Sequence, residues 1–569
     1  MIQIIADNII SGLGRDTAEN LKALREGRSG IVKSRLFRVP DGKEVMVSLM
    51  GLPVEDVPQE MTRLEKFMVE CVSKAAHRLD RGLEILKDRS TIFVFSTTKG
   101  NVACLGKDDA KSFLWHSSEA VAGYFSNPNI PITVSNACIS GVSAILLAKR
   151  LLECGLYRTA VVVGADEVTE FTVSGFGSLM ALSDQPCRPF DIRRHGLNVG
   201  EAVGTLILRR ADSADEILRP DGYLKTPQFV TGGAVANDAY HVSSPSRTGE
   251  GLYRAILRTL SVPAGSKAGL ACTDVFVCPH GTATLYNDQM ESVAFSRSGL
   301  GNLPMVPLKG YFGHTLGASG VIETVLSCHF MDEGWLPGCM GYSEPGCYPA
   351  PDVSSDVRRT GARMFIKTIS GFGGGNAVIK VEKLSEGMFK SNGNLAEIDV
   401  IDSFSMYHEG DVKEFLASVY RDGNYSYPKF HKMDLLCKGG FIAAEKLLDE
   451  VCDDDSTALV FVNSCASVSV DKEYQQTIAE NNFFPSPSLF VYTLPNIVIG
   501  EISIRHKLYG EGAFFVQRDS SEESGMKLAA DYVRCLLSEG AAVRALVCRA
   551  ECLKDKCIIE AVLLGPKAN

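Results

Sequence analysis

A chain of 569 residues is too long for one ordinary core, so about two to four domains are expected. Its 45% hydrophobic and 22% charged content is that of a soluble globular protein. The net charge of −10 argues against nucleic acid as the main partner, and no stretch approaches the ~18 apolar residues of a membrane span.

The chain opens with MIQIIADNIISGLGRD, which has neither a basic region nor a long apolar run. It reads as a first strand ending in a glycine turn, not as a signal peptide. Seventeen scattered cysteines without a CxxC pair suit a reducing, cytosolic location. Cys548, Cys552 and Cys557 cluster near the end, but no histidine accompanies them and no metal site is expected.

Strand-like and helical runs alternate along the chain, which implies α/β layers with mostly buried strands. TIFVFS (91–96) is a strand followed by a glycine-bearing loop. PITV leads into VSNACISGVSAILLAKRLLECG (134–155), read as a tight turn bearing Cys138 and a helix to about Glu153. AVVVGADE (160–167) is a buried strand. A second set follows in TDVFVCPHGTAT (273–284), MVPLKGYFGHTLGASGVIETVLSCHF (305–330) and MFIKTISGFGGGNAVIKVEK (364–383). LSEGMFKSNGNLAE (384–397) is polar and aperiodic, the best linker candidate.

After the linker the sequence begins again. STALVFVNSCAS (456–467) parallels STIFVFSTTKG (90–100), and FHKMDLLCKGGFIAAEKLL (430–448) parallels LEKFMVECVSKAAHRL (64–79). DYVRCLLSEGAAVRALVCRAE (531–551) parallels AKRLLECGLYRTAVVVGADE (148–167). In this register Cys138 falls opposite Glu522 or Glu523, so the repeat carries no nucleophile.

A cysteine in a helix is most often a core residue. A thiol at a helix start instead faces unpaired N–H groups, which favour the thiolate that attacks carbonyl carbon. Four further constellations bear on the choice. PHGTAT (279–284) puts His280 at a strand end. KGYFGHTLGASG (309–320) carries Lys309 and His314 around a glycine turn. GFGGGN (371–376) is a glycine loop between strands. CRPFDIRRHGLNVGEAVG (187–204) is a polar loop in which Arg188 and Asp191 read as a structural ion pair. Each alone is unremarkable, but together they make a thioester-handling site. The N–H groups of Cys138 and Phe372 are candidate oxyanion donors, one such donor being worth about 2.7–4 kcal/mol. Two neutral histidines aimed at a carbonyl oxygen suit an enolate, as decarboxylative carbon–carbon bond formation requires.

On NACISG, CRPFDIRRHG, PHGTAT, KGYFGHTLGASG and GFGGGN, in that order, residues 1–383 resemble the β-ketoacyl-acyl carrier protein synthases of the thiolase superfamily. DAYHVSSP (238–245) resembles a further family segment. The resemblance implies an α/β, thiolase-like layered fold (α-β-α-β-α) of two repeated halves, 1–212 and 213–383. Residues 398–569 would add a C-terminal thiolase-like half-domain. It implies Cys138 as the acylated nucleophile, His280 and His314 as the catalytic histidines, and Lys309 and Glu323 as supporting charges, Glu323 being counted with the substrate-binding residues. Phe372 would be the gate and second oxyanion donor, and Thr282 and Thr284 would bind phosphopantetheine. The implied reaction joins a Cys-bound acyl group to malonyl-acyl carrier protein with loss of CO2, in fatty acid, polyene or polyketide synthesis. No cofactor bound by the enzyme and no metal are implied, only the carrier's phosphopantetheine. The expected partners are acyl carrier protein, met by a local patch such as Arg188, Arg193 and Arg194, and a second subunit in a homodimer or a heterodimer with a related synthase. Two departures bear on the gate: Ser370 stands where the family carries phenylalanine, and Gly375 where it carries threonine. The family's Pro-Asn segment is missing before Cys138 and occurs instead at 494–512, LPNIVIGEISIRHKLYGEG. The tail is therefore expected to be structural, or to bind a partner or substrate, covering or replacing part of the usual dimer surface. The alternative for the chain is a silent synthase-like partner, such as a chain-length factor. A third class, an acyltransferase or thioesterase using Cys138 alone, leaves the second histidine and Lys309 unexplained.

Overall fold

The computed structural model describes residues 1–567 except 40, 41, 43, 54–56, 220–222, 385–394, 450, 451 and 453. The linker expected over 384–397 therefore lies, for 385–394, outside the described residues.

The first half runs β1 (Ile2–Ser11), α1 (Arg63–Ala76), β2 (Thr91–Ser96), β3 (Ile132–Val134), α2 (Ser140–Glu153), β4 (Thr159–Asp166), α3 (Glu170–Ser178) and β5 (Ala202–Arg210). The second half runs β6 (Gln228–Asn237), α4 (Glu250–Leu260), β7 (Val275–Cys278), α5 (Leu285–Ser298), α6 (Ser319–Glu333), β8 (Met364–Ser370) and β9 (Gly375–Lys383). Continuous apolar runs such as TIFVFS form strands buried on both faces, so β2 and β4 are buried throughout. The tail contributes β10 (Ile398–Glu409), α7 (Leu435–Leu447), β11 (Thr457–Asn463), α8 (Ile497–His506) and β12 (Gly512–Val516). It closes with α9 (Gly525–Glu539), β13 (Arg544–Cys552) and β14 (Lys556–Pro566).

Fourteen strands make one sheet in the order β7-β8-β9-β6-β1-β5-β4-β2-β3-β12-β11-β13-β14-β10. Where β1 meets β6 the sheet folds back, so that α2 and α6 lie between its two parts while α1 and α4 cover the outside. This is the expected α-β-α-β-α layering. The first turns of α2 and α6 touch through glycine: a Cβ on Gly141 would come within 2.9 Å of Gly320 Cα, and one on Gly320 within 2.5 Å of Val142 N. Only glycine allows two helix starts this close, and that approach brings the two turns before the helices together.

The repeat read in the sequence is visible as topology. In the first half β2 runs parallel to β3 and β4, β4 pairs antiparallel with β5, and β5 with β1. In the tail β11 runs parallel to β12 and β13, β13 pairs antiparallel with β14, and β14 with β10. The two units join at their equivalent edge strands, β3 and β12, which pair antiparallel with Val134 opposite Phe515. Helices α2 and α9 pack across this seam, and one apolar core holds Ile145 and Leu151 together with Phe515, Val533 and Leu536. Buried ions cross it too. Arg150 meets Glu511 at 2.5 Å and Glu539 at 2.7 Å, and Lys99 meets Asp471 at 2.7 Å. The turn of the tail that corresponds to the Cys138 turn is 517–524; it contains Glu522 and Glu523 and no cysteine.

Among the described residues no helix is long and apolar enough to cross a membrane. Cys552 and Cys557 face each other across the β13–β14 hairpin with sulfurs 3.4 Å apart.

Candidate active site

Cys138 sits in a single helical turn, Ala137–Ile139, between the end of β3 and the start of α2. Ala137 before it adopts φ +48°, a left-handed conformation unusual for alanine. The second half builds the same device: Leu316 at φ +51° and a turn over Leu316–Ala318 precede α6, with His314 just upstream. Asp166 ties the second of these turns to the loop after β2. Its carboxylate accepts from Gly317 N at 2.7 Å, Thr97 Oγ1 at 2.7 Å and Thr98 N at 2.9 Å.

The structure brings Cys138 and both histidines into one cluster. His314 Nε2 lies 3.0 Å from Cys138 Sγ, and the His280 and His314 rings stand edge to face at 5.0 Å. Ser319 Oγ is 3.2 Å from His314 Nδ1, and His314 N donates to Asn198 O at 2.7 Å. The turn of His280 is held by Glu291, which accepts from His280 N and Gly281 N at 2.7 Å each. His280 Nδ1 is buried without a hydrogen-bond partner. A bare acceptor is the cheaper group to leave there, which places the ring proton on Nε2.

Lys309, Lys367 and Glu323 form a buried ion triad behind the histidines. Glu323 meets Lys309 at 2.9 Å and Lys367 at 2.5 Å. Burial pushes the Glu323 carboxyl up, yet the two lysines outweigh it and hold it below its usual value. Burial first, and the Lys309 charge second, hold both imidazoles well below the usual histidine range. Both are therefore neutral at pH 7. Cys138 departs from expectation. Its own N–H, the Phe372 N–H and the Lys309 charge favour the thiolate, but burial outweighs them and pushes the thiol up to about 12. The helix start alone does not ionise the resting cysteine.

Cys138, His280 and His314 line a cavity of about 380 Å³ together with Phe372, Thr282 and Thr284. The two threonine hydroxyls are 2.9 Å apart. The Phe372 ring stacks on Phe176 of α3 at 6.3 Å. Glu323 and Lys309 do not reach the cavity wall. The reading of Glu323 as substrate-binding is corrected: it is 2% exposed and occupied by two lysines. Cys138, His280 and His314 each offer a ligand atom within 4.8 Å of the others, the one such cluster among the described residues that could hold a soft cation.

The gate departures have physical partners. Ser370 Oγ donates to Asn376 Oδ1 at 2.7 Å, and Asn376 Nδ2 donates to Asp238 at 3.1 Å, so the loop GFGGGN is pinned at its base. At Gly375 an added Cβ would come within 2.8 Å of Ile139 Cδ1; the side chain next to Cys138 occupies the space a threonine would need. Two further readings are corrected. Asp191 pairs with Arg193 at 3.5 Å and accepts from Ser343 and Glu344, whereas Arg188 reaches Gln185. Arg194 is buried and donates to the carbonyls of Asp191, Gly346 and Leu285, so it offers no charge to a carrier.

Lys367, Glu291, Asp166 and Asn376 escaped the sequence reading. Lys367 looks like a strand lysine in MFIKTIS, and only its burial beside Glu323 gives it a role. Asn376 ends the glycine motif and was within reach of it.

A five-layered α/β fold with a cysteine and a neutral histidine just before its two central helices, and a second neutral histidine at the end of β7, defines a thiolase-type protein. Residues 125–214 match the family "Beta-ketoacyl synthase, N-terminal domain" and residues 229–343 "Beta-ketoacyl synthase, C-terminal domain". The chain is 26% identical over 432 residues to a putative mitochondrial 3-oxoacyl-[acyl-carrier-protein] synthase of Schizosaccharomyces pombe, covering 66% of this chain and 97% of that one. It is 33% identical over 264 residues to 3-oxoacyl-[acyl-carrier-protein] synthase 2 of Synechocystis, covering 43% and 60%. Among solved structures, the ketosynthase ApeO in complex with its chain length factor ApeC from Xenorhabdus doucetiae aligns with TM-score 0.58 and 24% identity, over 67% of this chain and 98% of that one. The PfaC keto synthase–chain length factor aligns with TM-score 0.74 and 13% identity over 99% of this chain and 78% of that one. Residues 125–214 and 229–343 are thus the two domains of a β-ketoacyl synthase of the thiolase superfamily.

Proposed function

We propose that this chain is a 3-oxoacyl-[acyl-carrier-protein] synthase that joins a Cys138-bound acyl group to malonyl-acyl carrier protein with loss of CO2. The observation that carries this is the pair of neutral imidazoles converging with Cys138 on one cavity, His314 Nε2 lying 3.0 Å from the sulfur. In the first half-reaction the Cys138 sulfur attacks the thioester carbonyl of the acyl donor. The N–H groups of Cys138 and Phe372 receive the oxyanion. The C–S bond to phosphopantetheine breaks, and the proton given up by Cys138 leaves on the pantetheine sulfur. In the second, the Nε2–H groups of His280 and His314 hold the thioester oxygen of the malonyl group. The bond to the carboxylate breaks, CO2 departs and the electron pair is held as an enolate. That carbanion attacks the acyl-cysteine, and the Cys138 sulfur leaves and regains a proton. Burial, and after it the charges of Lys309 and Lys367, keep both rings from taking up a proton.

Thr282 and Thr284 bind the pantetheine arm, no cofactor is held by the enzyme itself, and the carrier docks near Arg188 and Arg193. We place the reaction in the cytoplasm. The catalytic body spans 1–383 as two halves. The tail, 398–569, covers the β3 edge of that body and replaces part of a dimer surface. Silence, the alternative role for a synthase-like chain, belongs to the tail, whose 517–524 turn has no cysteine.

Incubation with acyl-carrier protein should add one acyl mass to the chain, on the peptide bearing Cys138. Later malonyl-carrier protein should remove that mass and release 3-oxoacyl-carrier protein. His280→Ala should keep the adduct and lose CO2 release by about 100-fold or more. An unmodified Cys138 peptide would refute the reading.

A further inference from the structure

The motif LPN at 494–496 has no part in the chemistry above, yet the structure sets it against the gate. Asn496 stands immediately before α8 in the tail and is 5% exposed. Its Nδ2 donates to Phe372 O at 2.8 Å, while its Oδ1 is buried with no hydrogen-bond partner. The other backbone groups beside it are also taken: Gly373 N donates to Val242 O at 2.7 Å, and Gly373 O accepts from Asn237 Nδ2 at 2.9 Å. The Phe372 N–H is the group left facing the Cys138 sulfur. Helix α8 lies flush against this turn, since a Cβ on Gly500 would come within 2.6 Å of Gly373 O. The tail also fixes the other wall. Asn136, two residues before the nucleophile, accepts from Phe514 N at 2.8 Å and donates to Gly512 O at 3.2 Å.

We propose that Asn496 is a positioning residue supplied in cis by the tail: by holding the Phe372 carbonyl it aims the Phe372 N–H at the oxyanion of the Cys138 thioester. A buried amide that satisfies only one of its two polar ends is costly, and its retained bond is the one to the gate. Residue Phe372 has two soft backbone angles, and anchoring its carbonyl and the following Gly373 N–H leaves its own N–H little freedom. The glycines that follow, Gly373 at φ +86° and Gly374 at φ +74°, would otherwise let this loop swing. The tail thus completes a centre whose nucleophile and histidines all lie in the first 383 residues.

The inference rests on the condensing reading, and one experiment separates the two. In the full chain, Asn496→Ala and the isosteric Asn496→Asp are compared with the parent for acyl transfer onto Cys138 and, separately, for CO2 release from malonyl-carrier protein. Acyl transfer uses the Phe372 N–H; enolate formation uses His280 and His314. The expected result is a fall of about tenfold in the rate constant of acylation for Asn496→Ala, and at least as much for Asn496→Asp, which sets a carboxylate against a carbonyl. CO2 release should stay within about twofold of the parent, which also shows that the variants are folded. Acylation within about twofold of the parent in both variants overturns the proposal, as does an equal fall in both activities. A parent chain that neither takes an acyl group nor releases CO2 overturns the condensing reading itself.

Discussion

Replacing Arg150 with leucine tests whether the seam between body and tail is held by charge as well as by strand pairing. The Arg150 side chain is 1% exposed and donates to Glu511 at 2.5 and 3.0 Å, to Glu539 at 2.7 Å and to the Tyr532 hydroxyl at 2.7 Å. Leucine fills much of the same space but leaves the Glu511 carboxylate, 2% exposed, without its cation. Stripping one partner from such a buried pair costs about 3–5 kcal/mol. Glu539 adds at most about 1 kcal/mol, because it is 30% exposed and keeps Lys149 at 2.6 Å. Whole domains are stable by about 5–15 kcal/mol, so the seam should open well before the body unfolds. The chain carries its own reporter: Trp115 in the body donates to Ser464 O in the tail at 3.0 Å, and Trp335 is the other of two tryptophans. In a Trp335→Phe background, urea titration followed by Trp115 fluorescence reads the seam. With a slope of about 2 kcal/mol per molar, a loss of 3 kcal/mol lowers the midpoint by about 1.5 M. Adding Glu511→Leu should recover most of it, because the pair is then gone from both sides. A shift worth under about 1 kcal/mol, or a double variant no better than the single one, would refute the reasoning.

Three further outcomes are expected. With its thiol pushed up to about 12, Cys138 in the empty site should be alkylated by iodoacetamide at a rate that rises about tenfold per pH unit from 7 to 10. A plateau near pH 9 in the Cys138 peptide would contradict the burial argument. Gly375→Thr should slow condensation by forcing Ile139 aside, and Ile139→Ala should restore it in the double variant; additive losses would mean the two sites do not compete for space. Burial holds the Glu291 carboxyl at about 7, above its usual 4.5. The native state then binds the extra proton between these values, so stability contributed by this group is lost as pH rises from about 4.5 to 7. Relative to Glu291→Gln, the parent should lose about 3 kcal/mol of unfolding free energy over that window; a difference that does not change with pH, measured by urea titration at pH 4.5 and 7.5, counts against it.

Much of this was legible because it is written locally. TIFVFS and AVVVGAD are apolar on both faces, so their strands needed no partner to be recognised. Cys138, His280 and His314 stand in short motifs whose glycines and small residues announce close backbone approach. The tail's repeat survives in its apolar runs, and the sheet order mirrors it. What stayed hidden depends on residues far apart in sequence. The acidity of Cys138 is set by burial, which a motif does not state. Glu323 seemed free to meet substrate because its second lysine, Lys367, lies on β8, 44 residues further along the chain. Arg188 and Asp191 looked like partners because they are neighbours in the chain, while Asp191 turns to Ser343 and Glu344. Asn496 belongs to a segment that looked displaced, and its use appears only when α8 is laid against Gly373.

The β3–β12 seam also sets a timetable for synthesis. Asn136, two residues before Cys138, bonds to Gly512, 376 residues further on. At ~10 residues per second a ribosome needs roughly 40 s to cover that stretch. Through this interval the short edge strand of the body, Ile132–Val134, has emerged with its pairing groups open, the condition under which strands join the wrong neighbour. The catalytic centre matures only after the last third of the chain has been made. A ribosome that stalls before residue 512 leaves a protein with Cys138, His280 and His314 already made and one wall of their cavity unbuilt.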